Sequence, residues 1–292
     1  LNNASLIDGS RLAQADVHIT PHADPAALEE RVATFADRPT IVVIDSVFSM
    51  DGDVADLAAV ADTCRRHGSL LVIDEAHAVL GPDPAPGFFD GVEVVRVGTL
   101  SKTLGALGGF AACSERVADL LVNAARSAIF TTGLSPADAG AALAAVRLLR
   151  SPEGTELQAT LRRHVDRLRP GHPSPIVPLV LGSEADAVAA AGALLDRGLL
   201  VPAIRPPTVA PGTSRLRITF SAAHTDDARG AILVPRAEVR GVLGVDGKPV
   251  PQRLRGHWLE RKGRVRPPRL PRHRRSPGSQ GAVDCAWVRE LR

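Results

Sequence analysis

Residues 70–77 read LLVIDEAH (Leu70–His77). Leu70 to Ile73 is continuously apolar and too short for a helix, the pattern of a strand buried on both faces of a parallel sheet. The run ends on Asp74, and Glu75 and His77 follow directly. In such a sheet the carboxyl ends of the strands face the ligand crevice. The stretch therefore predicts an architecture and a place for chemistry together. An Asp-Glu-x-His after a strand is equally compatible with a turn that satisfies itself. Upstream, Thr40–Asp45 (TIVVID) repeats the pattern. Between the two runs Asp56–His67 reads as a helix, with Gly68 just past its end. Asp24 and Pro25 read as N-cap and first position of an amphipathic helix to about Asp37. Downstream, Val92–Val97 and Gly109–Cys113 are further strands, the last followed by a helix from Ser114. Strands spaced by helices predict βαβ units in an α/β fold with a parallel sheet.

The pattern changes after Ser135-Pro136. Two long helical stretches run to Arg150 and from Glu153 to Arg169. A strand at Ser174–Leu181, a helix at Glu184–Arg197 and short strands at Leu199–Ile204 and Arg215–Phe220 complete a smaller α+β domain. The expected division is residues 1–135, 136–228 and 229–292.

The last segment is a tail of different character. The 292-residue chain has a formal net charge of +3, but residues 1–228 carry −8 and residues 229–292 carry +11. The tail holds 14 Arg and 7 Pro without a regular period, which predicts disorder. Its charge could attract nucleic acid nonspecifically. It has two Trp but no Phe or Tyr and no recognisable motif, so nucleic acid is not the expected partner. Three cysteines, Cys64, Cys113 and Cys285, lack CxxC spacing and fit a reducing cytoplasm better than a disulfide framework or a zinc site. Cys64 and Cys113 are expected to be buried apolar residues. No apolar run approaches the roughly 18 residues of a membrane span, so no membrane is expected.

Lys102 is the sole lysine in residues 1–228. It lies in GTLSKTLGALGG (Gly98–Gly109), between two strands. An amine in a Gly-rich, otherwise apolar segment loses hydration, which lowers its pKa and makes a Schiff-base nucleophile of it. Thr99 and Ser101 offer hydroxyls to a phosphate. The spacing matches neither a P-loop nor GxGxxG. Asp74, His77 and Lys102 together suggest pyridoxal phosphate (PLP), with Lys102 carrying it and Asp74 keeping the pyridine nitrogen protonated.

VFSMDGD (Val47–Asp53), LVIDEAH (Leu71–His77), GTLSKTLGALGG and FTTGLSP (Phe130–Pro136), in this order, resemble the α-oxoamine synthases. These are fold-type I PLP enzymes that condense an amino acid with an acyl thioester. SPIVPLVLG (Ser174–Gly182) and AIRPPTVAPGTSRLRIT (Ala203–Thr219) resemble one branch. That branch condenses L-alanine with a pimeloyl thioester, on CoA or acyl carrier protein, to 8-amino-7-oxononanoate in biotin biosynthesis. The resemblance covers residues 1 to about 227. It implies a fold-type I transferase, a mostly parallel sheet with flanking helices plus a smaller α+β domain, working as a homodimer.

The resemblance also implies roles. Lys102 would hold the cofactor and then act as base at the substrate α-carbon. Asp74 would pair with the pyridine nitrogen, and His77 with the phenolic oxygen, Ser49 lying by the same edge. Thr99 would hold the phosphate. Thr131 and Thr132 would reach a phosphate in the partner subunit. Arg205 would bind the amino-acid carboxylate, as a bidentate donor should, with Thr208 close by.

Three departures qualify it. LNNAS (Leu1–Ser5) stands where the family reads NHAS, so the residue that stacks on the ring would be Asn3, and an amide lacks an aromatic face. The family's upstream region, including a phosphate-contacting Gly loop, would be missing, making the chain N-terminally truncated. After SAAHTDD (Ser221–Asp227) the family closes with an amphipathic helix, and here the Arg/Pro tail begins, as a reading-frame change near residue 228 would produce. A branch using glycine and a different acyl-CoA, or an inactive fragment, are the alternatives.

Overall fold

The structure is a computed structural model that describes residue 2 and residues 4–224. The expected tail, residues 229–292, and with it Cys285, lies outside the described residues. Four strands, β1 (Ile41–Asp45), β2 (Leu70–Asp74), β3 (Val94–Thr99) and β4 (Gly109–Ala112), form one sheet in sequence order. β1 and β2 pair in parallel, as do β2 and β3. β4 runs antiparallel to β3. Only residues 100–108 join β3 to β4, and a parallel crossover needs a dozen or more residues. The expected βαβ unit is present as β1, α3 (Leu57–His67) and β2. Between β2 and β3 the described chain makes turns, without a helix.

Local rules account for the helices. Asp56 accepts from the Ala59 amide at 3.0 Å and caps α3, which stops at Gly68 in the left-handed region (φ 62°). Asp24 does the same for α2 (Pro25–Ala33) through Ala27 at 3.0 Å. Such caps are each worth about 1 kcal/mol. Leu71 and Ile73 are fully buried against Val32, Val60, Ala61 and Cys64 of α2 and α3. Leu70 and Val72 are only half-buried. The strand expected to be buried on both faces is thus closed on one face and partly covered on the other. Cys64 is buried as expected, whereas Cys113 is half-buried.

α1 (Ala4–Leu12), which the sequence did not announce, has no buried residue. The side-chain amide of Asn2 lies along the free edge of β1. It donates to the Val43 carbonyl at 2.7 Å and accepts from the Asp45 amide at 3.4 Å.

After α4 (Glu115–Ala124), α5 (Arg126–Ile129), α6 (Pro136–Leu149) and α7 (Pro152–Leu168) comes a second sheet. It holds β5 (Ile176–Gly182), β7 (Ser214–Thr219) and β6 (Ala203–Ile204) in the order β5-β7-β6, all antiparallel, with α8 (Glu184–Leu195) between β5 and β6 in sequence. The strand expected over 199–204 shrinks to the two residues of β6. Leu161 and Val165 of α7, Ala190 and Leu194 of α8, and Val177, Leu216 and Ile218 of the strands close this second core. Among the described residues no helix is long and apolar enough to cross a membrane.

Candidate active site

The carboxyl ends of β1 and β2 place Asp45 directly beside Asp74. Asp45 is buried at 3% exposure. The Ser46 amide and hydroxyl both donate to the Asp74 carbonyl, at 2.8 and 3.0 Å. The Ala76 amide donates to Asp74 Oδ1 at 2.9 Å, so a satisfied turn and a strand-end carboxylate coexist here. Glu75 is drawn elsewhere, gripped by Arg96 of β3 through Nη2 and Nε at 2.7–3.0 Å.

Lys102 sits in the loop between β3 and β4. The Leu100 amide donates to Gly108 O at 2.9 Å and the Ala106 amide to Leu100 O at 2.8 Å, drawing the loop's two ends together. Lys102 is exposed as a residue, contrary to the dry setting its sequence suggested. Its ammonium nevertheless has a lowered pKa. Desolvation is the largest cause and the Arg217 charge adds to it, while Asp74 and Asp45 pull the other way. His77, half-buried, is pushed down to about 4 by desolvation and then by the charges of Lys102 and Arg217. At neutral pH it is an uncharged imidazole that can donate or accept one hydrogen bond.

Thr99, at the end of β3, shares a 2.7 Å hydroxyl contact with Ser101 and lies 3.3 Å from the Gly108 carbonyl. Ser49 presents its carbonyl to Arg217 Nε at 2.5 Å. Arg217 is half-buried, and desolvation lowers its pKa. Arg205 is exposed just beyond β6, where its carbonyl receives the Thr208 amide at 3.0 Å. Thr208 is exposed, as are Thr131 and Thr132 after α5. Asn3 lies outside the described residues. The structure thus gathers Asp74, His77 and Lys102 into one electrostatic group, with Ser49 tied to it through Arg217.

Two members of that group escaped the sequence reading. Asp45 ends its strand in the same way that Asp74 does, and the repeated apolar-run-then-Asp pattern was its signal. Arg217 stands in the same quoted stretch as Arg205, but only the fold shows that its charge acts on Lys102 and His77. A surface cavity of about 170 Å³ between residues 19–21 and α2 contains none of these residues.

The donor set suits PLP. It offers an amine of lowered pKa, carboxylates at strand ends, a neutral imidazole and paired hydroxyls at the start of a Gly-rich loop. Two sheets so connected are the α/β architecture of the fold-type I PLP-dependent enzymes. A serine palmitoyltransferase from S. paucimobilis, solved with a PLP–myriocin aldimine, superposes with a TM-score of 0.77 at 28% identity, over 84% of this chain and 66% of that one. An 8-amino-7-oxononanoate synthase from Francisella tularensis shares the fold with a TM-score of 0.64 at 22% identity, over 87% of this chain and 73% of that one. Residues 2–233 match the aminotransferase class I and II family, and the chain belongs to it.

Among curated relatives, the 8-amino-7-oxononanoate synthase of Cupriavidus necator is 42% identical over 248 residues, covering 78% of this chain and 61% of the relative. That of Burkholderia mallei is 46% identical over 244 residues, covering 78% and 62%. The chain thus spans about three fifths of the length of these relatives.

Proposed function

We propose that this chain carries the PLP site of an enzyme that condenses L-alanine with a pimeloyl thioester, on CoA or acyl carrier protein, to 8-amino-7-oxononanoate. A carbon–carbon bond forms between the alanine α-carbon and the thioester carbonyl. The thiol leaves, and the alanine carboxylate departs as carbon dioxide. The observation that carries this reading is the Lys102 amine, lowered in pKa and set against Asp74, Asp45 and His77.

PLP, when bound, supplies a pyridinium ring that stores the carbanion's electron pair. The chain's own residues do the rest. Lys102 Nζ would hold the cofactor and would serve as the base for the α-proton of the amino acid. Its lowered pKa keeps more of it in the basic form near neutrality. Asp74 holds the proton on the pyridine nitrogen. Neutral His77 hydrogen-bonds the phenolic oxygen without adding a charge, with Ser49 on the same edge. Thr99 and Ser101 meet the phosphate. The carboxylate role that the resemblance gives to Arg205, with Thr208 close by, we assign to Arg217, which is half-buried and whose charge acts on Lys102 and His77, while Arg205 and Thr208 are exposed.

The reading includes a homodimer in which Thr131 and Thr132 serve the partner's phosphate, a cytoplasmic setting, and the division into residues 1–135 and 136–228. Borohydride reduction of the PLP-loaded chain followed by peptide mass spectrometry tests it. The pyridoxyl group is expected on Lys102, and Lys102→Ala should lose both the label and the cofactor's visible absorbance. A cofactor held equally well by Lys102→Ala overturns the assignment. Assays pairing alanine or glycine with pimeloyl or acetyl thioesters separate the two branches of the family. The identities of 42% and 46% to 8-amino-7-oxononanoate synthases favour alanine.

A further inference from the structure

The turn at residues 49–53 is fastened to the second sheet from two sides. On one side stand two arginines of β7, two residues apart and therefore on one face of the strand. Arg217 Nε donates to the Ser49 carbonyl at 2.5 Å, and Arg215 Nη1 pairs with Asp51. As β7 advances by two residues the turn retreats by two, so the two contacts form a side-chain ladder with one register. On the other side, the Ser174 hydroxyl donates to the Gly52 carbonyl at 2.7 Å. Gly52 has φ +68°, and a Cβ there would overlap the Ile176 carbonyl.

Of these fastenings only Arg215–Asp51 joins opposite charges. Arg215 is 5% exposed. A buried guanidinium that loses its carboxylate is strongly disfavoured and must seek water. Behind Asp51, His22 bonds Asp53 at 2.9 Å, and the three side chains could be imagined as metal ligands. The Arg215 cation on Asp51 argues for an ion-pair cluster instead.

We propose that Asp51 and Arg215 are a positioning pair, which holds β7 against the 49–53 turn in the one register that keeps Arg217 over the strand-end crevice. The inference rests on the reading of Arg217 as the carboxylate ligand. It adds that the place of this ligand is dictated by a residue that touches neither substrate nor cofactor. The charge of Arg217 already acts on Lys102 and His77, so a displaced Arg217 is readable at Lys102.

The test uses the full 292-residue chain. Acylation of Lys102 is followed across pH by peptide mass spectrometry in the native protein and in Arg217→Gln, Asp51→Asn and Asp51→Glu. Withdrawing the positive charge of Arg217 should move the Lys102 midpoint to higher pH in Arg217→Gln and in Asp51→Asn alike. Asp51→Glu keeps the charge and should stay near the native midpoint. In PLP-loaded protein, Asp51→Asn should weaken L-alanine binding about tenfold, read from the absorbance change, with cofactor retention unaltered. A native midpoint and native alanine affinity in Asp51→Asn overturn the proposal, as does Asp51→Glu behaving like Asp51→Asn.

Should Asp51→Asn fail to fold, Arg215→Gln removes the pair without stranding a buried cation. A folded Arg215→Gln with native values then overturns the proposal. If Arg217→Gln binds alanine normally, the functional reading fails. If PLP never attaches to Lys102, the functional reading fails too, and the Lys102 midpoints of the apo chain still decide the positioning role.

Discussion

Asp45 and Asp74 end neighbouring parallel strands at the same level, as register partners across β1 and β2. Both negative charges raise the Lys102 pKa against the desolvation that lowers it. Asp74→Asn should therefore shift the Lys102 acylation midpoint to lower pH, opposite in sign to Arg217→Gln. Parallel titrations of the two variants check the pair of signs. Asp74→Asn should at the same time lose PLP, because the amide cannot hold a proton on the pyridine nitrogen.

His77 couples stability to acid. Its folded pKa, about 4, lies below its ordinary 6.5. Between those values the unfolded chain binds the extra proton, so the folded state is at no disadvantage above about pH 6.5 and weakens as pH falls toward 4. At pH 5 the His77 share is on the order of 1–2 kcal/mol. Urea denaturation at pH 7 and pH 5 should show a smaller pH difference in His77→Gln than in the native chain. An equal difference would assign the acid sensitivity to other groups.

Gly52→Ala probes the latch. The substitution combines a left-handed backbone with overlap on a backbone oxygen that has nowhere to go. A loss of about 3 kcal/mol or more is expected, large for an alanine substitution. Thermal unfolding reads it directly. At Gly98 the nearest atoms to an added Cβ belong to the Phe110 ring, on a residue 46% exposed that can swing away, so Gly98→Ala should cost far less.

Cys64 should be silent toward thiol reagents in the native chain. Burial pushes its pKa up to about 11, and the thiolate is the reactive form. Peptide-level alkylation at pH 8 should label Cys64 only after denaturant is added, and labelling of Cys64 in native protein would contradict its place in the core.

The sequence made some of this legible and hid the rest for physical reasons. The runs ending at Asp45 and Asp74 became strands because a short branched apolar run leaves few alternatives. Asp24 and Asp56 capped helices because their carboxylates meet orphan amides. The direction of β4 was hidden, since an apolar run does not say which way it points; the short 100–108 connection held that information. The place of Arg217 was hidden as well. It stands in the same quoted stretch as Arg205, and only the folded chain brings its charge to bear on Lys102 and His77.

The antiparallel turn from β3 to β4 has an entropic consequence for Lys102. Thr99 pairs with Gly109, and backbone bonds tie Leu100 to Gly108 and Ala106, so the loop is closed when the hairpin forms. A lysine on an open loop would have to order several backbone residues on meeting a ligand, at about 1–2 kcal/mol each. Here the hairpin supplies part of that ordering beforehand, and the Gly105 amide bonds the Lys102 carbonyl at 3.2 Å within the loop. The Lys102 side chain adds its own rotamers, about 2 kcal/mol.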